Sequence, residues 1–134
     1  MQFTVNVDVD VLDRAVDFYC AAFGLSVGRR FGAYAVELVG GSTPIYLLAK
    51  EAGTTPYANA SAGRSYGRHW TPVHLDFIVD AIEPAIERAV AAGARVEKPV
   101  AVYRWGKLAL MADPFGHGFC FIEFLGRGYD EIAE

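Results

Sequence analysis

The chain of 134 residues is 53% hydrophobic and 21% charged, which is typical of a globular domain and excludes a disordered or fibrous protein. Its formal net charge of -4 provides no basic surface for nucleic acid or for an anionic membrane. Small molecules or other proteins are therefore the expected partners.

The cysteines and the N-terminal sequence favour a cytoplasmic protein. Cys20 lies in a helical pattern and Cys120 in a strand pattern, so the two do not form a disulfide framework and a reducing compartment is the simpler interpretation. The N-terminal residues lack the basic start and apolar block of a signal peptide, and no uncharged stretch approaches the roughly 20 residues that a membrane-spanning helix needs.

The first 50 residues predict a βαβββ module. Apolar and polar residues alternate from Phe3 to Asp10, as in a half-buried strand. Asp10 is a plausible N-cap for a helix over residues 12–23, whose apolar side chains recur at three- and four-residue steps and which Gly24 would end. Three short strands follow, over residues 25–31, 34–39 and 45–49.

Residues 51–71 interrupt this pattern with glycine, proline and small polar residues, which predicts a linker. Its aromatic residues are Tyr57, Tyr66 and Trp70. They could cover a ligand, but aromatic side chains in a long loop more often anchor it to the domain, and we favour anchoring.

The remaining residues predict a second βαβββ module. Its helix spans residues 82–92, and the Asp-Pro-Phe-Gly sequence that begins at Asp113 predicts a turn joining the last two strands into a hairpin. The four strands are expected over residues 73–79, 95–100, 107–111 and 118–124.

The two modules are related by a shift of 70 residues. FTVNVDVD over residues 3–10 corresponds to VHLDFIVD over residues 73–80, so Thr4 corresponds to His74. We therefore expect a single domain over residues 1–134 with four parts: a first module over about 2–50, a linker over about 51–71, a second module over about 72–125, and a tail over 126–134.

Two βαβββ modules, a strand that begins with His74 and a final hairpin reading MADPFGHGFCFIEF together resemble the vicinal oxygen chelate superfamily. This superfamily includes glyoxalases, fosfomycin-resistance enzymes, extradiol dioxygenases and bleomycin-resistance proteins. The resemblance covers nearly the whole chain, and DRAVDFYCAAFGL, VHLDFIVD and DPFGHGFCFIE are its strongest parts. It implies an α+β glyoxalase-like fold, with curved mixed sheets around a cavity, in a homodimer that is domain-exchanged or paired side by side.

The resemblance also implies a metal site, but an incomplete one. His74 and Glu123 match two ligand positions of the family, whereas Thr4 stands where a His or Gln usually completes the set, and threonine is a poor ligand for zinc or iron. Glu37 could supply an oxygen but is expected to be a solvated strand residue. The cofactor is therefore either absent or a weakly bound Zn, Ni, Mn or Fe, and Glu123 is the catalytic candidate if the protein is an enzyme.

Further polar and aromatic residues predict a ligand-binding lining. Asn6, Asp8 and Asp76 are expected on the polar faces of the two modules' first strands, where acceptor groups suit a cationic or amine-bearing ligand. Tyr103 and Trp105 precede a core strand and could stack on a planar group. Each of these residues taken singly could equally face solvent or pack in the protein.

Three functions remain open from the sequence. The first is a bleomycin-resistance-type protein that sequesters a drug-like or metabolite ligand. The second is a divalent-metal-dependent lyase, isomerase, transferase or dioxygenase that uses His74 and Glu123. The third is a structural or regulatory dimer without a small ligand. His69 and His117 are expected to be ordinary exposed loop residues, and Cys20 a buried inert thiol.

Overall fold

The computed structural model describes residues 1–134, which divide into two units, Met1–Gly67 and Arg68–Glu134. Each unit contains one long helix and one open four-stranded mixed sheet in the order βαβββ. The predicted α+β class and the predicted repeat are therefore confirmed. None of the helices combines the length and the apolar character needed to cross a membrane.

The first unit forms a sheet with strand order β1-β4-β3-β2. The outer strand β1 runs parallel to β4, and the other two pairs are antiparallel. Its elements are β1 (Val5–Val9), α1 (Leu12–Phe23), β2 (Ser26–Phe31), β3 (Ala35–Val39) and β4 (Ile45–Ala49).

Helix α1 ends as predicted but begins differently. Val11 is the N-cap residue and no side chain caps the helix, because Asp10 Oδ1 instead accepts a hydrogen bond from the Val11 N–H at 2.9 Å. The prediction of Asp10 as the N-cap was therefore wrong. At the other end Gly24 has the left-handed φ of 66° that was expected of a C-terminal glycine.

Phe3, predicted to begin the first strand, lies outside β1 and is 70% exposed.

The second unit repeats the topology with strand order β5-β8-β7-β6 and a parallel β5–β8 pair. A short 3-10 helix, Gly128–Glu131, follows the last strand. The other elements are β5 (Leu75–Ile78), α2 (Ile82–Ala92), β6 (Arg95–Tyr103), β7 (Gly106–Ala112) and β8 (Gly118–Phe124).

Two strands of the second unit differ in extent from the prediction. Strand β6 continues to Tyr103, with register irregularities on both sides of Lys98, and Pro99 is tolerated there because β6 is an edge strand. Strand β5 is shorter than predicted, so His74 immediately precedes it.

Each sheet buries its apolar face against its own helix. In the first unit Val36, Leu38 and Leu47 are completely buried, and α1 packs on β3 and β4. In the second unit Phe121 and Ile82 are completely buried, and α2 contacts β8. Since side chains alternate along a strand, the intervening residues lie on the opposite face of each sheet, which carries Glu37 and Tyr46 in the first unit and Asp76 in the second.

The predicted β7–β8 hairpin is confirmed, and Asp113 stabilises its turn. The Asp113 side chain is buried, and its Oδ1 accepts hydrogen bonds from the backbone N–H groups of Phe115 at 2.8 Å and His117 at 2.9 Å. The Phe115 side chain is fully buried beneath this turn.

Candidate functional site

The second unit contains a cavity of about 220 Å³ at the end of its sheet where β8 begins. The residues that line it come from the segment before β5 and from β6, β7 and β8. This second-unit cavity is lined by Arg68, Trp70, Thr71, His74, Glu97, Leu110, Met111, Gly118, Phe119 and Cys120.

Three potential donor side chains lie close together, and two of them, His74 and Cys120, line this cavity. The parallel register pairs Asp76 with Cys120, and His74 Nε2 lies 3.2 Å from Asp76 Oδ1. One ligand atom from each of His74, Asp76 and Cys120 lies within 4.8 Å of the others. His74 and Asp76 have side chains that are 54% and 39% exposed, whereas Cys120 is buried. We call these residues the donor cluster.

The thiol of the donor cluster is protonated at neutral pH in the metal-free protein. Burial raises the pKa of Cys120 to about 12, and the negative charge of Asp76 and its hydrogen bond with the thiol act in the same direction. A free thiolate is therefore not available as a nucleophile at this site.

Glu123 does not share a site with His74. Leu75 pairs with Phe119 and Ile78 with Ile122, so Glu123 lies near the end of β8 that is remote from His74. Its carboxylate accepts a 2.8 Å hydrogen bond from the Ile82 N–H at the start of α2.

Glu123 also forms an ion pair at 3.3 Å with Lys107, which in turn contacts Glu83. Glu123 thus provides an acceptor for a free N–H group at the start of α2 and a counter-charge for Lys107. They correct the predicted pairing of Glu123 with His74. The residue of β8 that lies beside the first-strand polar groups is Cys120, three positions earlier.

Tyr103 and Trp105 also lie away from the second-unit cavity. Their rings are stacked, with centroids 5.4 Å apart and an interplanar angle of 2°. Trp105 further contacts Phe124 and Tyr129 with centroid distances of 6.4 and 5.0 Å. The β6–β7 turn is at the opposite end of the sheet from the start of β8, so this aromatic cluster is separate from the cavity. Its contact with Tyr129 anchors the C-terminal segment.

The predicted lining residues of the first unit are engaged within that unit or exposed. Asn6 is exposed on β1, beside Tyr46 of β4. The carboxylate of Asp8 accepts a 2.8 Å hydrogen bond from Arg64 Nε. Thr4 is exposed and immediately precedes β1. An acidic lining shared by both modules therefore stays a prediction.

Glu37 is not solvated as expected but is the centre of a hydrogen-bonded cluster. Its side chain is only 9% exposed, and its carboxylate accepts hydrogen bonds from Arg29 Nε at 2.9 Å, Arg29 Nη2 at 2.6 Å and the Tyr46 hydroxyl at 2.7 Å. These hydrogen bonds from Arg29 and then Tyr46 lower the pKa of Glu37 to about 2. The sequence could have indicated this cluster, because all three residues fall on the strand face opposite α1.

Two polar pairs hold the segment that forms one wall of the second-unit cavity. Arg68 donates to both carboxylate oxygens of Glu97, at 2.7 and 2.9 Å. The neighbouring His69 Nε2 lies 3.0 Å from His117 Nδ1, so these histidines are paired rather than free in loops as expected. A side chain at Gly118 would clash, since its Cβ would lie 2.5 Å from Arg68 Nη2.

Only one of the three aromatic residues of the linker is anchored as predicted. Tyr66 donates a hydrogen bond to the Lys50 carbonyl at 2.5 Å. Tyr57 and Trp70 are 68% and 81% exposed, and Trp70 lies at the rim of the second-unit cavity.

The comparisons with known proteins agree with this architecture. The sequence model of the glyoxalase-like domain matches residues 4–122. The chain therefore belongs to the glyoxalase-like domain family, within the vicinal oxygen chelate superfamily. A search of curated protein sequences gives no significant match.

Solved structures with the same fold include proteins with different names. A glyoxalase/bleomycin resistance protein/dioxygenase family enzyme from Burkholderia phytofirmans is 22% identical, with a TM-score of 0.72 over 91% of this chain and 97% of that one. The fosfomycin resistance protein FosX from Listeria monocytogenes is 15% identical, with a TM-score of 0.72 over 99% and 98%. A lactoylglutathione lyase from Agrobacterium tumefaciens is 21% identical, with a TM-score of 0.64 over 92% of each chain. At these identities the likeness establishes the fold alone.

Proposed function

We propose that the protein binds a small organic ligand in the second-unit cavity and sequesters it, as the name of the bleomycin-resistance branch of its family suggests. The observation that carries this proposal is a concave site that combines apolar walls with a few polar groups. Leu110, Met111 and Phe119 supply the apolar walls, and His74 and Thr71 supply polar atoms. This combination is typical of sites for small organic molecules.

The chemistry of the cavity favours a planar ligand that carries a hydrogen-bond donor. Trp70 presents an exposed ring at the rim, on which a flat group can stack. His74 lines the cavity, and Asp76 Oδ1, 3.2 Å from His74 Nε2, supplies an acceptor atom next to it, whereas Glu97 is already bonded to Arg68. An aromatic amine or a similar cation would satisfy both features.

Tryptophan fluorescence can test this proposal because the chain has only two tryptophans. A panel of planar amines is titrated into the wild-type protein, Trp70→Phe and Trp105→Phe. We expect saturable quenching in the wild type and in Trp105→Phe, and its loss in Trp70→Phe. Trp105 is the matched control because it belongs to the C-terminal aromatic cluster. Quenching that survives in Trp70→Phe and disappears in Trp105→Phe would contradict the proposed site.

The donor cluster favours a second candidate function, a metal-dependent reaction of the lyase or transferase type. Imidazole, carboxylate and thiolate are all ligands that a divalent metal accepts. A bound metal would supply Lewis-acid polarisation of substrate oxygens. Mass spectrometry of each bound compound after incubation distinguishes the candidates: an unchanged compound supports sequestration, and a product whose formation a chelator prevents supports catalysis.

The homodimer and the cytoplasmic location remain part of the proposal. The family resemblance supports the dimer. Light scattering coupled to size-exclusion chromatography tests it directly, because a dimer has twice the 14.6 kDa mass of the chain.

A further inference from the structure

We propose that His69 and His117 are positioning residues that hold Trp70 at the second-unit cavity, and that protonation of both histidines releases Trp70 and weakens ligand binding at acid pH. The inference rests on the proposed ligand site and adds its regulation. It concerns residues 68–74, which precede β5 and contain no helix or strand. We call these residues the Trp70 segment.

The Trp70 segment forms one wall of the cavity. Because it has no helix or strand, its position depends on contacts with neighbouring elements. One contact lies immediately before Trp70, where the His69 N–H donates to the Gly116 carbonyl of the β7–β8 turn at 3.1 Å. The residues that the segment contributes to the cavity are Arg68, Trp70, Thr71 and His74.

Two side-chain contacts fasten the Trp70 segment, and they respond differently to pH. Arg68 donates to both carboxylate oxygens of Glu97 on β6. These hydrogen bonds lower the pKa of Glu97 and raise the pKa of Arg68, so this ion pair persists in mild acid. The second contact joins His69 Nε2 to His117 Nδ1 at 3.0 Å, and histidine changes charge between about pH 8 and about pH 5.

The contact between the two histidines needs one ring nitrogen that can accept a hydrogen bond. In the neutral pair one of the facing nitrogens carries a hydrogen and donates it to the other. One added proton still leaves a donor and an acceptor. A second proton places hydrogens on both facing nitrogens, so the hydrogen bond is lost and two like charges face each other. Both side chains are only partly buried, so solvent can supply these protons.

The charged groups around the histidine pair favour release of the segment rather than of the turn. Arg68, the neighbour of His69 in the chain, adds a positive charge that opposes the second proton, and Glu97 offsets part of it. On the turn, the buried Asp113 side chain accepts the His117 N–H at 2.9 Å, which holds the backbone there while the ring changes charge. Loss of the pair therefore frees the Trp70 segment.

Time-resolved fluorescence anisotropy tests the fastening without a ligand. In Trp105→Phe protein Trp70 is the only tryptophan. We expect the fast component of its anisotropy decay to be at least about twice as large at pH 5 as at pH 8, because the released segment moves more freely.

Two variants in the same background retain the contact in either charge state. The amide oxygen of His117→Asn lies about where Nδ1 lies and accepts from neutral or charged His69. The amide of His69→Gln lies about where Nε2 lies and can donate to, or accept from, His117. Both variants should give the same decay at pH 5 and pH 8, and either one suffices if the other fails to fold.

Ligand binding is measured on the same proteins with N-methylquinolinium, a planar cation whose charge does not depend on pH. Where the histidine pair is intact, we expect binding at least about fivefold weaker at pH 5 than at pH 8. In His117→Asn and His69→Gln the change should be less than about twofold. His74, which lines the cavity, is the same in all these proteins, so its own change of charge cancels in the comparison.

The outcomes separate this inference from the proposed function. An anisotropy decay that is the same at pH 5 and pH 8, or that depends on pH equally in the two variants, would overturn the histidine fastening even if the cation binds. A pH-dependent decay that is lost in the variants supports the fastening. If neither N-methylquinolinium nor the planar amines bind at pH 8, that result contradicts the ligand site alone.

Discussion

The two units have the same topology but use the polar faces of their sheets differently. The β1–β4 pair places Asn6 beside Tyr46, and the β5–β8 pair places Asp76 beside Cys120 at the equivalent register. In the first unit the Tyr46 hydroxyl bonds to Glu37, which Arg29 also engages. Arg29, Glu37 and Tyr46 are thus bonded to one another. In the second unit, Cys120 lines a cavity instead.

The repeat therefore determines where side chains lie but not what they do. Leu110 occupies the position beside Cys120 that Glu37 occupies beside Tyr46. An apolar residue there leaves Cys120 and the neighbouring Asp76 without a charged side chain at that position of β7. The proposed ligand site therefore belongs to the second unit, whereas the Glu37 cluster of the first unit is bonded within itself.

Substitutions on the apolar faces of the sheets should have the largest effects on the free energy of unfolding, and these effects should be similar in the two units. Leu47→Ala and Phe121→Ala each remove a fully buried side chain that packs against a helix. We expect losses in the free energy of unfolding of about 3 and about 4 kcal/mol respectively. Urea denaturation measures both. A silent substitution in one unit would contradict the equivalence of the two cores.

A smaller effect is expected from the turn that only the second unit possesses. Asp113→Ala leaves the N–H groups of Phe115 and His117 without their acceptor inside a buried turn. The expected loss is about 2 kcal/mol. Thr43→Ala, in the turn between β3 and β4 of the first unit, is the control, since Thr43 donates a single exposed hydrogen bond to the Phe3 carbonyl. Equal losses in urea denaturation would show that the two turns are not different in kind.

The Glu37 cluster should make the first unit sensitive to acid. The pKa of Glu37 is about 2 in the folded chain, and an unfolded glutamate has a pKa of about 4.3. As the pH falls from about 5 to about 2, the unfolded state takes up the proton first, so stability decreases over this window. Urea denaturation at several pH values should therefore give a steeper decrease for the wild type than for Glu37→Gln. Parallel curves would argue against a depressed pKa.

The smallest expected effect concerns the partly exposed ion pairs. Asp8 and Arg64 in the first unit, with side chains 35% and 17% exposed, lie 2.8 Å apart. We expect Asp8→Asn to reduce the free energy of unfolding by less than about 1 kcal/mol. Glu97→Gln, which weakens the pair with Arg68, should be similarly mild for stability but should alter ligand binding at the second-unit cavity. A change in binding caused by Asp8→Asn alone would require a role for the first unit.

Much of the fold could be predicted because local patterns and the repeat agree. The helices over residues 12–23 and 82–92 and the strands over 45–49 and 118–124 match the prediction to the residue. Periodicity and glycine stops were sufficient there because no long-range contact overrides them. Asp10 was misassigned because a helix-capping residue type can as easily bond to its own neighbour.

The site was harder to predict because it depends on the register between strands. Both Glu123 and Cys120 lie on β8, and the sequence alone does not show which of them faces the side chains before and on β5. A carboxylate in an apolar run indicated a buried role, but its partner is the start of α2. Tyr103 and Trp105 were attractive as stacking groups, yet they stack on each other, and Trp105 contacts Tyr129 in a tail without periodicity.

The size of the second-unit cavity depends on the close contact between Gly118 and Arg68. The guanidinium lies over a backbone position that has no Cβ, and it helps to close one wall of the cavity while bonded to Glu97. Adding one methyl group at residue 118 would displace that wall and leave His74, Asp76 and Cys120 unaltered. A substitution at residue 118 would therefore change which molecules fit the proposed ligand site, while its donor groups stay the same.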